Sequence, residues 1–205
     1  MKFAQQRNDG FASAGERRKV RVLGVDPAAA GPTGYGVVET DGRACRALLF
    51  GVLPGRRGGF PRRLREIHEL ICQLIDEFSP ESMAVESVFT ALNIKTALKL
   101  AEVRGVVVLA AAQSNIPVHS YSPREVKASV AGYGHASKHQ MQLMVRALLD
   151  MKQTPEPADA ADALAVALCH IQASSAHARL AAPQASVART VTRSRSSAAR
   201  IPAVR

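Results

Sequence analysis

The sequence predicts an α/β fold, a mixed five-stranded sheet flanked by helices, and three observations carry that reading. Three strand-like segments follow one another between residues 20 and 53. The turn between the second and third carries the hairpin signal Asp41-Gly42. Beyond them helical and strand patterns alternate, so that the element order is β-β-β-α-β-α-β-α-α-α. Sequential strands joined by hairpin-like turns, followed by alternating strands and helices, imply a mixed sheet with helices on its faces.

Each element has its own justification. "VRVLGVD" (20–26) and "YGVVET" (35–40) flank a Gly/Pro/Ala loop, and "ACRALLFGVL" (44–53) follows the Asp-Gly turn. A Gly/Arg/Pro-rich loop, "PGRRGGFPRR", comes next. Leu64, Ile67, Leu70, Ile71, Leu74, Ile75 and Phe78 then recur at helical spacing. "MAVES" (83–87) is short and apolar, which suits a central strand. Residues 91–113 are helical in composition and apolar on most of their circumference, so this helix is buried by its own domain or by a partner. "IPVHSY" (116–121) is a further strand. Ser122-Pro123-Arg124-Glu125 and Ser137-Lys138-His139-Gln140 are capping boxes, the first with proline at the opening helical position. "ADAADALAVALCH" (158–170) is the last helix, launched after Pro155 and Pro157.

The bulk properties narrow the class. At 205 residues, the chain accommodates one domain over 20–172, with extensions at 1–19 and 173–205 whose composition predicts disorder. No apolar run reaches the roughly 18–20 residues that span a bilayer, and the N-terminus lacks the apolar centre of a secretory signal. Cys45, Cys72 and Cys169 have no metal-type spacing and lie in apolar surroundings, which predicts reduced thiols in a cytoplasmic protein. The net charge is +10, yet residues 22–172 carry fifteen charges of each sign. The excess therefore lies in the two ends, where it would attract a polyanion without specificity.

Acids are scarce within the apolar elements, which makes the exceptions informative. Asp26 ends the first strand and Glu86 the fourth, while Asp159 and Asp162 open the last helix three residues apart, on one face. The carboxyl ends of strands form the crevice where ligands collect in open sheets. If strands one and four are parallel neighbours, all four acids converge there. Four converging carboxylates repel unless a cation sits among them, and oxygen-only ligation suits Mg²⁺ or Mn²⁺. Such ions serve phosphodiester cleavage. Taken singly, three of the acids have a plainer reading: a turn residue for Asp26, an N-cap for Asp159, a helix-dipole partner for Asp162; Glu86, after three apolar residues, is harder to dismiss.

"VLGVDPAAAGPTGYGVVE", "MAVESVFTALNIKTALKLAEVRGVVVLAA" and "PADAADALAVALCH", in this order, resemble the RuvC family of Holliday junction resolvases over roughly residues 21–172. The resemblance implies a ribonuclease H-like fold. It also implies a homodimeric endonuclease that needs Mg²⁺ or Mn²⁺, one or two ions per site. Such an enzyme nicks a four-way DNA junction symmetrically in recombination and repair. By motif, the family's metal-binding catalytic acids fall on Asp26, Glu86, Asp159 and Asp162. Two basic residues near the scissile phosphates fall on Lys127 and Lys138, and an aromatic that stacks on an unpaired base falls on Phe89. Without the resemblance, the lysines read as solvated side chains and Phe89 as core. The helix 91–113 matches the family's dimer interface, and a RuvA–RuvB branch-migration complex is the implied partner. The Arg-rich loop 54–65 reads equally as a contact to DNA arms and as a solvated loop.

One departure stands out. The family usually places a glycine-containing turn after Asp-Pro. Here the turn is "AAAGP", and Ala28 does not enter positive φ as cheaply as glycine, which leaves the conformation of 28–32 open. Two other function classes share some features. Sugar kinases and actin-like ATPases begin with a similar Asp-ending strand and hairpin, but use two such domains and a longer chain. A junction-binding scaffold without cleavage would gain nothing from four mutually repelling acids.

Overall fold

The computed structural model describes residues 18–55, 58–87 and 93–181, with side chains through His177. The elements are β1 (Val20–Asp26), β2 (Thr33–Thr40), β3 (Cys45–Leu53), α1 (Phe60–Phe78), β4 (Ser82–Glu86), α2 (Ile94–Gln113), β5 (Val118–Tyr121), α3 (Pro123–Ala131), α4 (Lys138–Leu148) and α5 (Ala158–Ala181). The five strands form one sheet in the order β3-β2-β1-β4-β5. β1 pairs antiparallel with β2, and β2 with β3, while β1–β4 and β4–β5 are parallel. β1 is thus the strand on which an antiparallel meander meets a parallel extension. The predicted mixed sheet is present.

Alternation along the strands sorts side chains to two faces. Leu23 and Val25 of β1, Val37 of β2, and Met83 and Val85 of β4 pack against Ile67, Ile71 and Leu74 of α1 and Val103 and Val107 of α2. On the other face, Val22, Val38 and Ala84 meet Val126 of α3, Met141 and Val145 of α4, and Leu164 to Ile171 of α5. At the far end of the sheet, the buried Glu39 is gripped by Arg21 and Arg46 at 3.0 and 2.6 Å. Their hydrogen bonds outweigh desolvation and hold its carboxyl below the ordinary range.

One sequence expectation is corrected. Helix α1 begins at Phe60, so residues 60–65 are helical rather than part of an arginine-rich loop. Arg63 lies on the buried face of that helix, where Arg63, Ile67, Leu70, Ile71 and Leu74 follow at helical spacing. The helix placed at 91–113 is described from Ile94, and residues 88–92, Phe89 among them, lie outside the described residues. Helix α5 continues to Ala181, beyond the domain end expected at 172.

α5 lies across the sheet with almost no free side. From Ala160 to Ile171 every residue but Asp162 is buried. Glycines on β1 and β2 permit this close seat: a Cβ on Gly24 would lie 2.1 Å from the Ala163 carbonyl oxygen, and one on Gly34 would lie 2.0 Å from that of Asp159. A Cβ on Gly36 would meet Leu164 Cδ2 at 2.7 Å. The helix answers with alanine at 160, 161, 163, 165 and 167, all essentially inaccessible. Backbone therefore rests on backbone where the sheet and α5 cross.

Candidate metal centre

The strand ends place two acids side by side. β1 and β4 are in parallel register up to Val25↔Val85, so Asp26 and Glu86, the next residues, leave the sheet together. Asp159 is the second residue of α5 and lies inside the helix rather than capping it, and Asp162 stands on the next turn. The α5 seat on Gly34 matters here, because Gly34 is also the pairing partner of Asp26 in the β1–β2 ladder. One sheet position thus supports the backbone of Asp159 and the strand end that carries Asp26.

The result is a cluster in which one carboxylate oxygen from each of Asp26, Asp159 and Asp162 lies within 4.8 Å of the others. Glu86 adjoins the cluster through Asp26, whose carboxyl its charge pushes up. Burial, then Glu86, Asp162 and Asp159, push the Asp26 carboxyl up to about 8. Burial likewise raises Glu86, with Asp162 adding repulsion, and raises Asp162 despite the nearby lysines. Three partly buried acids all displaced upward are held where their own charges are unwelcome. An oxygen-only donor set of this kind fits a hard divalent cation, which removes the repulsion that the protein alone leaves in place.

Two lysines border the cluster. Lys138, first residue of α4, places Nζ 3.2 Å from Asp162 Oδ2. Burial pulls its ammonium pKa down, but Asp162, Asp159 and Asp26 outweigh that and leave it above the ordinary value. Lys127 of α3 is close enough for its charge to favour ionisation of Glu86 and Asp162. Both helices start with complete capping boxes, Ser122–Glu125 and Ser137–Gln140, which fix the turns that carry them. Of the residues singled out in the sequence, Asp26, Asp159 and Asp162 come together, Glu86 and Lys138 adjoin them, Lys127 lies near, and Phe89 falls outside the described residues.

Sequence reasoning missed the supports. Tyr121, paired with Glu86 across β4–β5, shares a hydrogen bond of 2.8 Å between its hydroxyl and His170 Nδ1 of α5, and burial with the neighbouring His119 pushes His170 down to about 4 and keeps it neutral at neutral pH. Gly24, Gly34 and Gly36 carried a legible signal, since glycine inside a strand marks close backbone approach. Arg63 carried a weaker one, its place on the apolar face of α1. The loop 27–32 contains no positive φ among the described residues, so the missing glycine is accommodated without left-handed backbone.

The upward shifts predict a pH dependence. A carboxyl that is protonated in the folded chain but ionised in the unfolded one makes stability fall as pH rises between the two pKa values. For Asp26 that window runs from its ordinary 3.8 to about 8. Up to about pH 6.5 the depressed His170 pulls the other way, so in EDTA the melting temperature should decline from about pH 6.5 to pH 8. The increment given by added Mg²⁺ should grow over the same range. A metal-free melting temperature that is level across that range, with no Mg²⁺ increment at pH 8, would contradict the clustering.

The chain matches known proteins along most of its described length. The family model for "Crossover junction endodeoxyribonuclease RuvC" matches residues 22–170. The protein of that name from Natranaerobius thermophilus is 45% identical over 160 residues, covering 78% of this chain and 99% of the relative. That from Moorella thermoacetica is 49% identical over 150 residues, 73% of this chain and 89% of the relative. Among solved structures, Thermus thermophilus RuvC in complex with a Holliday junction substrate superposes with a TM-score of 0.73 at 35% identity, over 77% of this chain and 96% of that one. The yeast mitochondrial Holliday junction resolvase Ydc2 shares the fold, with a TM-score of 0.53 at 16% identity, over 78% of this chain and 84% of that one.

Proposed function

Because the chain belongs to the RuvC family of crossover junction endodeoxyribonucleases, we propose that Asp26, Glu86, Asp159 and Asp162 form its catalytic metal centre. On this reading Mg²⁺ is the ion, with Mn²⁺ as a substitute. The enzyme is a ribonuclease H-like nuclease that hydrolyses phosphodiesters of four-way junction DNA by paired, symmetric nicks. The observation that carries the site assignment is the three-carboxylate cluster at the β1–α5 crossing, bordered by Lys138.

A divalent ion bound there stabilises negative charge that develops at the scissile phosphate. The chain's own residues do the rest. Asp26 and Glu86 present oxygens from rigid strand ends, and Asp159 and Asp162 present theirs from a helix that cannot turn or slide. Lys138 has a side chain more than half exposed, which lets it pair with Asp162 and meet an incoming phosphate at once. It stands in the first turn of α4, where backbone N–H groups also favour anions. Lys127 offers a second cation on the neighbouring helix. Phe89 retains its family role as a stacking aromatic.

Symmetric nicking needs two sites, and α2 supports a homodimer. One side of α2 packs on α1, while Ile94, Leu98 and Leu109 are 77, 60 and 51% exposed. Ala101 and Gly105 continue the same stripe, and a Cβ on Gly105 would touch nothing. An apolar stripe of this extent, on a helix whose other side packs on α1, fits a second copy of the chain. No described helix is long and apolar enough to cross a membrane; on this reading the enzyme acts on junction DNA in the cytoplasm. A RuvA–RuvB complex is the partner carried over from the family.

The test is incubation with a synthetic four-way junction, linear duplex and ATP, with and without Mg²⁺. Paired nicks in the junction alone, dependent on Mg²⁺, are expected. ATP turnover without nicking, or binding without cleavage, would overturn the reading. Lys127→Ala and Lys138→Ala should each slow cleavage by about 10- to 100-fold while leaving the assembled mass unchanged. Unchanged rates in both would remove the lysines from the site.

A further inference from the structure

We propose that Arg63 is a positioning residue for cleavage: its guanidinium fixes the segment between Asp26 and Gly34 and so sets the aim of the Asp26 carboxylate. The inference rests on the metal-centre reading above and adds to it a residue from the opposite face of the sheet.

Arg63 is 3% exposed. Its Nη2 donates to the carbonyl of Ala28 at 3.0 Å, to that of Gly31 at 2.6 Å and to Thr33 Oγ1 at 3.0 Å. Its Nη1 donates to the Pro54 carbonyl at 3.0 Å. Thr33 Oγ1 also accepts from the Ala28 N–H, at 3.3 Å, which closes the loop on itself. A Cβ on Gly55 would lie 2.7 Å from the Ala30 carbonyl oxygen, so the β3–α1 turn presses on the same segment. A loop with no left-handed residue and no regular hydrogen bonding is therefore shaped by one buried cation.

Both ends of that loop belong to the metal centre. Asp26 precedes it, and Gly34, which follows it, pairs with Asp26 and seats the backbone of Asp159. A displacement of residues 27–33 is transmitted at one end to a carboxylate and at the other to the seat of a second. Burying a guanidinium is costly unless its donors are used. Here the Nη1 and Nη2 donors serve this connection. Lysine cannot replace it, because one ammonium does not span acceptors on both Ala28–Gly31 and Pro54.

The test compares Arg63→Lys, Arg63→Met and Thr33→Val with the unaltered chain. It reads the thermal melt, junction affinity in EDTA, single-turnover cleavage, and the Mg²⁺ concentration that gives half the Mg²⁺-induced rise in melting temperature. The Arg63 variants are expected to cleave about 10- to 100-fold more slowly and to need several-fold more Mg²⁺, with junction affinity within about twofold. Thr33→Val, which keeps the shape but removes one acceptor, should shift both quantities the same way and less. Variants that melt earlier but keep the original rate and Mg²⁺ midpoint below their transition would overturn the proposal and leave Arg63 a fold staple. If the Arg63 variants do not fold, Thr33→Val decides, and an unchanged midpoint and rate there is equally fatal. An unaltered chain that neither cleaves nor responds to Mg²⁺ would sink the functional reading and this inference with it.

Discussion

Asp26→Asn is expected to abolish junction cleavage, with a loss of roughly 10³-fold or more, while junction binding persists. Removing a carboxylate from the cluster forfeits several kcal/mol of charge stabilisation at the phosphate, and each 1.4 kcal/mol is about tenfold in rate. Binding should survive because Asp26 is largely enclosed at the end of β1 and its removal lessens repulsion of the DNA backbone. The same variant has a second signature. Asp26 carries the most perturbed carboxyl of the cluster, displaced to about 8 by burial and by its neighbours. A neutral amide of the same shape relieves that penalty, so in EDTA at pH 8 the variant should melt above the unaltered chain. A gain of about 1 kcal/mol is some 2–4 °C for a chain of this size. Its Mg²⁺ increment should shrink, and its metal-free stability should lose most of its decline with pH. Simultaneous loss of binding, cleavage and thermal stability would instead assign Asp26 to folding.

Gly34→Ala should damage the site without touching a charged group. The new Cβ would lie 2.0 Å from the Asp159 carbonyl oxygen and 2.7 Å from its carbon, both backbone atoms of the first turn of α5. Neither can yield without lifting the helix. Overpacking of this kind destabilises by about 1–3 kcal/mol. The displaced acids matter more, since a misplacement near 1 Å in a catalytic group lowers rates by about 10²-fold. Gly36→Ala is the milder comparison, because its Cβ would meet the side-chain atoms Cδ2 and Cγ of Leu164 first. Calorimetry and single-turnover cleavage together check the pair. A larger loss of stability in Gly34→Ala than in Gly36→Ala, with a rate defect in Gly34→Ala alone, is the expected pattern, and native cleavage by Gly34→Ala would refute the role of that contact.

Much of the architecture was legible because local signals agreed with one another. The Asp-Gly turn, the two capping boxes and the apolar periodicity of α1 each act within a few residues, and each formed where the pattern placed it. The acids were legible for another reason: a carboxylate inside an apolar run needs an explanation wherever it occurs. Arg63 was not, because the surrounding "PRRLRE" presents three arginines of identical chemistry, and only the register of α1 separates the buried one from Arg62 and Arg65. Those two make surface pairs with Glu66 and Glu69. The course of 27–32 was equally hidden, since it is dictated by a side chain some thirty residues away rather than by its own residues. Long-range hydrogen bonds to backbone carbonyls leave no local pattern.

The enclosure of α5 also bears on how the enzyme chooses its substrate. A helix buried on nearly every side does not open by itself. Over 160–171 its amides are expected to exchange with solvent only when the whole domain unfolds. Half of the cluster is therefore as rigid as the fold, and the strand ends that carry the other half are scarcely looser. A centre built this way does not mould itself around different DNA shapes. Discrimination between a branched and a linear duplex must then arise in the nucleic acid, through the work needed to bend or unstack its strands until a phosphate reaches a fixed point. Flexible junctions meet that demand readily, and a continuous duplex resists it.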